Sequence, residues 1–253
     1  MEKHIYRQFY ELEKDHWWFR GMRYLCRSAI DRYCGDRPAG PILDVGCGTG
    51  ELTRSLGGLG EVFGADRSDE ALGLCKRRGM GGLVRTLAES LGFRDDSFSL
   101  VVAFGLIEHL DRDRAFLAET NRILRDGGYL VMLTSAYRFL WGAHDDTVHH
   151  KRRYTLGGIK SMAKAAGYSA RKASYVNSFL FPPIAAARAF QNVLGFGKSG
   201  KGGHSDIAKT TPVLNSVLYK VLQAEAQLMK LINYPFGVGI LYIGKKERAD
   251  ALH

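Results

Sequence analysis

The residues best suited to chemistry lie in Ile42-Leu43-Asp44-Val45-Gly46-Cys47-Gly48-Thr49-Gly50, where a carboxylate ends an apolar run and glycines follow at alternate positions. Glu51-Leu52-Thr53-Arg54-Ser55-Leu56 then reads as a helix. Glycines in this register let the backbone turn tightly and approach a ligand at a helix N-terminus. A dinucleotide would require G-x-G-x-x-G, but Glu51 stands at the third glycine position and Asp44 at the strand end, and both would repel a pyrophosphate. The same carboxylates favour a ligand that combines a ribose with an ammonium or sulfonium group and carries no phosphate. A second strand, Val62-Phe63-Gly64-Ala65-Asp66, ends in an acid 22 residues after Asp44. That is near the roughly 20-residue spacing of a ribose-binding carboxylate at the next strand of a nucleotide-binding unit.

Two further groups could move a proton. His109, in Phe104-Gly105-Leu106-Ile107-Glu108-His109, falls near the crevice at strand carboxyl ends, where it could take a proton from a hydroxyl or brace its loop. The segment from Trp141 to Tyr154 is dense in titratable groups, including His144, Asp145, Asp146, His149, His150 and Lys151-Arg152-Arg153. Adjacent His149 and His150 rarely share one ion, so a metal is not expected there. The basic run reads equally as a solvated face or as a partner for phosphate or for Asp145.

These residues need a frame, and the chain supplies one by alternating strands and helices, the βαβ pattern of a parallel sheet between two helical layers. Strands are expected near 41–45, 61–65, 83–87, 99–104, 128–134, 168–175 and 238–244. Helices are expected at 51–58, 69–78, 112–124, 155–166, 184–194 and 212–232. Residues 1–40 read as an amphipathic helical segment, closed by Pro38 and Pro41, whose His16-Trp17-Trp18-Phe19 cluster packs on the sheet edge. Residues 176–236 form a helical insertion before the last strand. It holds a turn at Phe179–Pro183, a loop at 195–203 and a helix opened by Thr211-Pro212. Leu214, Val217, Leu218, Val221, Leu222, Leu228, Met229 and Ile232 mark a stripe that packs on the body or, alternatively, meets a membrane surface or lipid-like substrate.

Bulk properties narrow the class. With 253 residues, one domain with additions (1–253) is expected, and 45% hydrophobic with 25% charged residues excludes a disordered chain. Cysteines 26, 34, 47 and 75 form no C-x-x-C pair and read as free thiols. The first residues lack a signal-peptide pattern, which points to a cytoplasmic protein. The longest apolar run, Phe179 to Ala187, is interrupted by Pro182 and Pro183 and stopped by Arg188, so no span is expected; peripheral contact with the inner membrane face stays open. A formal charge of +10 suits nucleic acid, anionic lipid, a phosphorylated substrate or simple solubility.

The glycine segment, Asp66, Leu91-Gly92-Phe93-Arg94-Asp95-Asp96-Ser97-Phe98-Ser99-Leu100, Ile107-Glu108-His109-Leu110 and Arg122-Ile123-Leu124-Arg125-Asp126-Gly127-Gly128 together resemble the class I S-adenosylmethionine-dependent methyltransferases over roughly residues 40 to 135. The resemblance implies a three-layer α/β/α sandwich around a seven-stranded, mostly parallel Rossmann-like sheet whose last strand is reversed and lies between the fifth and sixth. It implies S-adenosylmethionine as cofactor, held by Asp44, Gly46, Cys47, Gly48, Gly50, Asp66, Arg67, Ala88, Glu89 and Phe104, under an N-terminal helical cover. Leu87 departs from the acid that relatives often carry, Ser99 replaces an Asp, and Asp126 replaces a Pro. The Trp141–Tyr154 segment is similar to a W-x-x-x-D…H-x-x-R-Y pattern in a bacterial subgroup that acts on glycans, lipids or secondary metabolites. Carried over, Asp145 or His150 becomes the base, beside His109, and Arg153 an anchor for an anionic substrate group, with Tyr154 completing the set. No Asn/Asp-Pro-Pro-aromatic segment follows Phe104, which argues against base methylation of nucleic acid. The expectation is O-methylation of a small-molecule, glycan or lipid-linked acceptor. The alternatives are an RNA-directed methyltransferase and a non-catalytic protein that senses the cofactor.

Overall fold

The computed structural model describes residues 2–35, 40–193 and 210–247; Pro38 and the loop expected at 195–203 lie outside these. Two helices, α1 (Lys3–Leu12) and α2 (Trp17–Tyr33), lead into β1 (Ile42–Val45), α3 (Glu51–Leu56), β2 (Val62–Asp66), α4 (Asp69–Arg77), β3 (Leu83–Arg85) and β4 (Phe98–Phe104). Then come α5 (Asp113–Ile123), β5 (Leu124–Ser135), the short α6 (Ala143–Thr147), α7 (Leu156–Ala165), β6 (Tyr168–Val176), α8 (Phe181–Val193), α9 (Pro212–Leu228) and β7 (Gly239–Lys246). The strands form one sheet in the order β3-β2-β1-β4-β5-β7-β6. All pairs are parallel except those of β7, which runs antiparallel to both β5 and β6. Helices cover both faces, so central strands lose their alternation: all of β1 and Leu100 to Ala103 of β4 are buried.

Four expectations change in detail. β5 begins at Leu124, where the chain after α5 was expected to stay in a turn until residue 128, and Gly127 takes φ +75 within it. α8 begins at Phe181, so Pro182 and Pro183 occupy its first turn and not a turn before it; their missing N–H groups would be unpaired there anyway. α9 ends at Leu228. Its apolar stripe is divided: Leu222 and Met229 are buried, whereas Leu214, Val217, Leu228 and Ile232 face solvent.

The N-terminal helices do more than cover a sheet edge. Met22, Leu25, Cys26, Ala29 and Ile30 of α2 join the main core, and α2 packs closely on α9. A Cβ on Gly21 would collide with Leu222 Cδ1, so only glycine fits that crossing as it stands. Two buried charges fix the other side of α9. Glu225 Oε2 accepts from the backbone N–H of Ser178 (2.9 Å) and of Phe179 (3.1 Å), pinning the β6–α8 turn. Lys172 Nζ donates to the carbonyls of Met229 (2.5 Å) and Ile232 (2.8 Å), satisfying the chain where α9 stops. Among the described residues no helix is long and apolar enough to cross a membrane.

Candidate active site

At the carboxyl end of β1 the chain turns back through left-handed glycines: Gly46 at φ +73, Gly48 at φ +55 and Gly50 at φ +90. Gly46 N–H and Cys47 N–H both donate to the Ala65 carbonyl (2.7 and 3.1 Å), which stitches the turn to the end of β2. Asp66 completes it, accepting from Gly48 N–H (3.0 Å) and Ser68 N–H (2.8 Å). A side chain at Gly46 would strike Leu106, and one at Gly50 would lie 2.7 Å from Met80 and 2.8 Å from Cys75. Gly50 is therefore demanded by packing and does not line the cavity, whereas Gly48 does line it, and a Cβ there would meet only the Gly46 carbonyl at 3.9 Å.

Asp44 is 2% exposed and accepts one hydrogen bond, from Thr53 Oγ1 at 2.6 Å. Burial pushes its carboxyl up to about 7, and the neighbouring Asp66 charge adds to this. Burial likewise raises Asp66. Glu51, expected to share in repelling phosphate, is neutralised instead. Burial opposes its charge, but hydrogen bonds from Arg54 and the charges of Arg54 and Arg78 outweigh this and hold it below the usual carboxylate range. Arg78 also donates to the carbonyls of Thr49 (2.8 Å) and Tyr10 (2.9 Å), tying α1 to the glycine loop.

A cavity of about 720 Å³ opens over this loop. Asp44, Gly46, Cys47, Gly48, Thr49 and Phe104 line one part of it, and Glu108, His109, His150, Arg153 and Asn177 another. Phe9, Trp17, Trp18 and Phe19 of α1 and α2 form apolar wall, together with Leu140, Ile184 and Leu218. Asp66, Arg67, Ala88, Glu89, Asp145 and Tyr154 are not among the lining residues. Arg67 is exposed, Ala88 is buried in the main core, and Glu89 is half-buried; none of the three faces the cavity as expected of a cofactor contact.

Three of the expected catalytic residues are engaged in buried contacts. Asp145 is fully buried, receives Arg153 Nε (2.8 Å), Arg153 Nη2 (3.0 Å) and Gly142 N–H (2.8 Å), and pairs with His150 Nδ1 at 2.7 Å. Burial alone would raise its carboxyl, but the bonds from His150 and Arg153 hold it well below the usual carboxylate range, so it cannot act as a base near neutral pH. Arg153 has no fork left for a substrate anion, since its remaining Nη1 donates to the Ala136 carbonyl (2.9 Å). Tyr154 donates to Asp113 Oδ2 (3.0 Å) and the Ile107 carbonyl (3.2 Å), and burial pushes its phenol far up. His109 and His150 do reach the cavity, their rings 4.6 Å apart and edge to face. Burial drives His109 down to about 4, so it is neutral at physiological pH. An ionised Asp145 can only accept, so His150 Nδ1 carries a proton.

Several lining residues escaped the sequence. Glu108 is buried and accepts from Thr134 Oγ1 (2.9 Å), Ser135 Oγ (3.2 Å) and Ser135 N–H (3.3 Å). Asn177 is 3% exposed, sits at φ +58 and has no hydrogen bond to its Oδ1. Nothing in local sequence singles out either residue. Glu13, His16 and Arg23 also line the cavity, and the dense charge around the aromatic cluster was their only signal.

Residues 43–132, which carry the glycine turn, Asp66, β4 and Glu108-His109, match the methyltransferase domain family. That match takes in the part of the chain whose motifs resemble the class I S-adenosylmethionine-dependent methyltransferases. The chain is 37% identical over 136 residues to the ubiquinone/menaquinone biosynthesis C-methyltransferase UbiE of Shewanella sp. (strain W3-18-1). The alignment takes in 49% of this chain and 53% of that relative, so the chain spans about half the length of the curated relatives it matches. The fold is shared with the Haemonchus contortus phosphoethanolamine N-methyltransferase 2 in complex with S-adenosylhomocysteine (TM-score 0.58, 18% identity, 88% of this chain and 53% of that one). It is shared equally with the [4+2]-cyclase SpnF (TM-score 0.57, 17% identity, 89% and 80%).

Proposed function

We propose that this methyltransferase moves a methyl group from S-adenosylmethionine to the hydroxyl of a small, largely apolar acceptor. One observation carries the reading: a single cavity is lined both by the glycine turn with Asp44 and by an Asp-oriented histidine, His150. The donor suits the residues present. Asp44 is a buried carboxylate with one hydroxyl partner, and a cation beside it would recover the charge that burial suppresses. Asp66, outside the cavity lining, braces the glycine turn by accepting two backbone N–H groups. When bound, the cofactor supplies an electrophilic methyl.

The chain's own work is positioning and proton transfer. His150 Nε2 takes the hydroxyl proton, and Asp145, kept ionised by Arg153, stabilises the resulting imidazolium and fixes the ring. Neutral His109 packs against that ring and adds no competing charge. Aromatic walls from Trp17, Trp18 and Phe19 exclude water and receive an apolar acceptor body. The relatives are named C-methyltransferases, which favours a second reading: in a phenolic acceptor the same proton removal activates the ring carbon beside the oxygen.

Turnover with labelled donor on a panel of phenols and prenylated hydroquinones tests both readings, and product analysis separates O- from C-methylation. His150→Ala is expected to lose roughly 10²- to 10⁴-fold in turnover while binding S-adenosylhomocysteine normally. Full turnover in that variant sinks the base assignment, and cofactor binding with no acceptor turned over favours the sensing alternative. Exposed Val213, Leu214 and Val217 on α9, with a formal charge of +10, support peripheral contact with an anionic membrane that delivers such acceptors. Flotation with phosphatidylglycerol-containing vesicles, and its absence with pure phosphatidylcholine, is the expected result; no flotation with either removes this part.

A further inference from the structure

Asn177 is the first residue after β6, and it lines the cavity without serving the proton transfer described above. It is 3% exposed, yet among the described residues nothing hydrogen-bonds its Oδ1. A buried amide oxygen without a donor is costly, so its presence calls for a cause. The backbone explains part of the choice, since φ is +58 and asparagine tolerates that left-handed conformation better than most residues with a side chain. It does not explain the unsatisfied oxygen, because glycine would serve the turn as well. The following turn is pinned: Ser178 N–H and Phe179 N–H donate to Glu225 Oε2, and Ser178 Oγ donates to the Phe236 carbonyl (2.6 Å). The amide is thus anchored by neighbours whose bonds do not satisfy it.

The sheet register shows which chemistry surrounds it. Val176 pairs with Gly239 of β7, and Gly239 pairs in turn with Ser135 of β5. Ser135 spends both its Oγ and its N–H on Glu108, which also receives Thr134 Oγ1. Asn177, Gly239, Ser135 and Glu108 all line the cavity, and Gly239 adds no side chain to the row. A ligand carboxylate or phosphate here would bring further lone pairs against the Glu108 and Asn177 oxygens, whereas an O–H would supply the donor that Asn177 lacks. A second space bordered by Asn177, about 10 Å³ between α2 and α9, is at the lower limit for one water, and Gly21, Met22, Leu25 and Leu222 give it mainly apolar walls. We infer that Asn177 is a specificity residue that accepts a hydrogen bond from a second hydroxyl of the acceptor, so that the enzyme selects dihydroxy over monohydroxy acceptors; this rests on the methyl-transfer reading above. The reacting hydroxyl is the one that meets His150, and the second stays protonated and donates to Asn177 Oδ1.

Turnover of the full chain with labelled S-adenosylmethionine tests this on four probes: the catechol, resorcinol and hydroquinone that carry one geranyl chain, and 2-geranylphenol. Wild type is expected to favour at least one diol over the phenol roughly 10- to 100-fold in kcat/KM. Asn177→Gly, which suits φ +58 and removes only the amide, should bring that ratio down roughly tenfold or more. Differences in intrinsic reactivity between the probes cancel in this comparison of one ratio across two proteins. Asn177→Asp keeps an accepting oxygen and tolerates the same backbone, so it should retain most of the preference. Calorimetric binding of S-adenosylhomocysteine by each variant reports an intact fold. An unchanged ratio in Asn177→Gly overturns the inference and leaves the amide to an internal water. An equal fall for diol and phenol in Asn177→Gly overturns it in favour of a purely structural role, and loss of the preference in Asn177→Asp overturns it in favour of donation by Nδ2. If wild type methylates diol and phenol alike, the inference falls and the methyl-transfer reading stands. If it methylates none of the four, both fall.

Discussion

Replacing Asp44 by asparagine is expected to stabilise the ligand-free protein and cripple its binding site in one step. The folded carboxyl titrates at about 7 against an ordinary 3.8, so three pH units at about 1.36 kcal/mol each give roughly 4 kcal/mol held against the ionised form. A carboxyl raised in this way contributes stability that is complete below about pH 4 and is lost as pH rises through about 7. The Asp44→Asn amide would keep an acceptor for Thr53 and carry no charge, so at about pH 8 the variant should exceed wild type by up to about 4 kcal/mol. Relaxation and water entry make that an upper bound; at roughly 2–4 °C per kcal/mol for a chain of this size, a rise of several degrees is expected. Urea unfolding of wild type and Asp44→Asn between about pH 4 and pH 8 should show the gap shrinking toward zero on the acid side. Calorimetry should show S-adenosylmethionine binding weakened roughly tenfold or more, because the cation loses its buried partner. An Asp44→Asn protein less stable than wild type at about pH 8, or a gap that ignores pH, refutes the account of this carboxylate.

Asp145→Asn should act in the opposite sense, destabilising by roughly 3–5 kcal/mol in a denaturant midpoint because it leaves the Arg153 guanidinium buried without its ion partner. The wild-type contribution of Asp145, whose carboxyl is held low, should be present above about pH 4 and fade below it; a pH-independent loss would contradict the ion pair. Gly21→Val should cost roughly 1–3 kcal/mol by forcing α2 away from Leu222, and Gly21→Val combined with Leu222→Ala should recover part of it; absence of coupling would show that the crossing tolerates a side chain.

The framework was legible because it depends on short-range signals. Apolar runs bounded by glycine and aspartate located every strand, and the resemblance supplied the reversed position of β7. Thr211-Pro212 marked the start of α9 for a local reason, since the threonine side chain accepts from Leu214 N–H. Pro182 and Pro183 misled for the converse reason: proline is read as a breaker, yet the first helical turn tolerates it. The glycine turn was similarly local, with Asp44, three glycines and Asp66 within 22 residues. The acceptor half was not. Asp145, His150 and Arg153 were found together, but their division of labour depends on which atoms meet, and the buried pairing that turns Asp145 from base into support has no sequence signature. Glu13, Arg23 and Asn177 reach the cavity only through the packing of α1, α2 and the β6–α8 turn, far from the glycine loop along the chain.

The placement of β7 also orders assembly. Because β6 pairs with no strand other than β7, the half of the sheet that carries Asn177 stays open until Gly239–Lys246 arrives. The half built on β1 to β4 pairs without that final segment. A growing polypeptide can therefore pair β1 to β4 well before β6 has any neighbour to zip against.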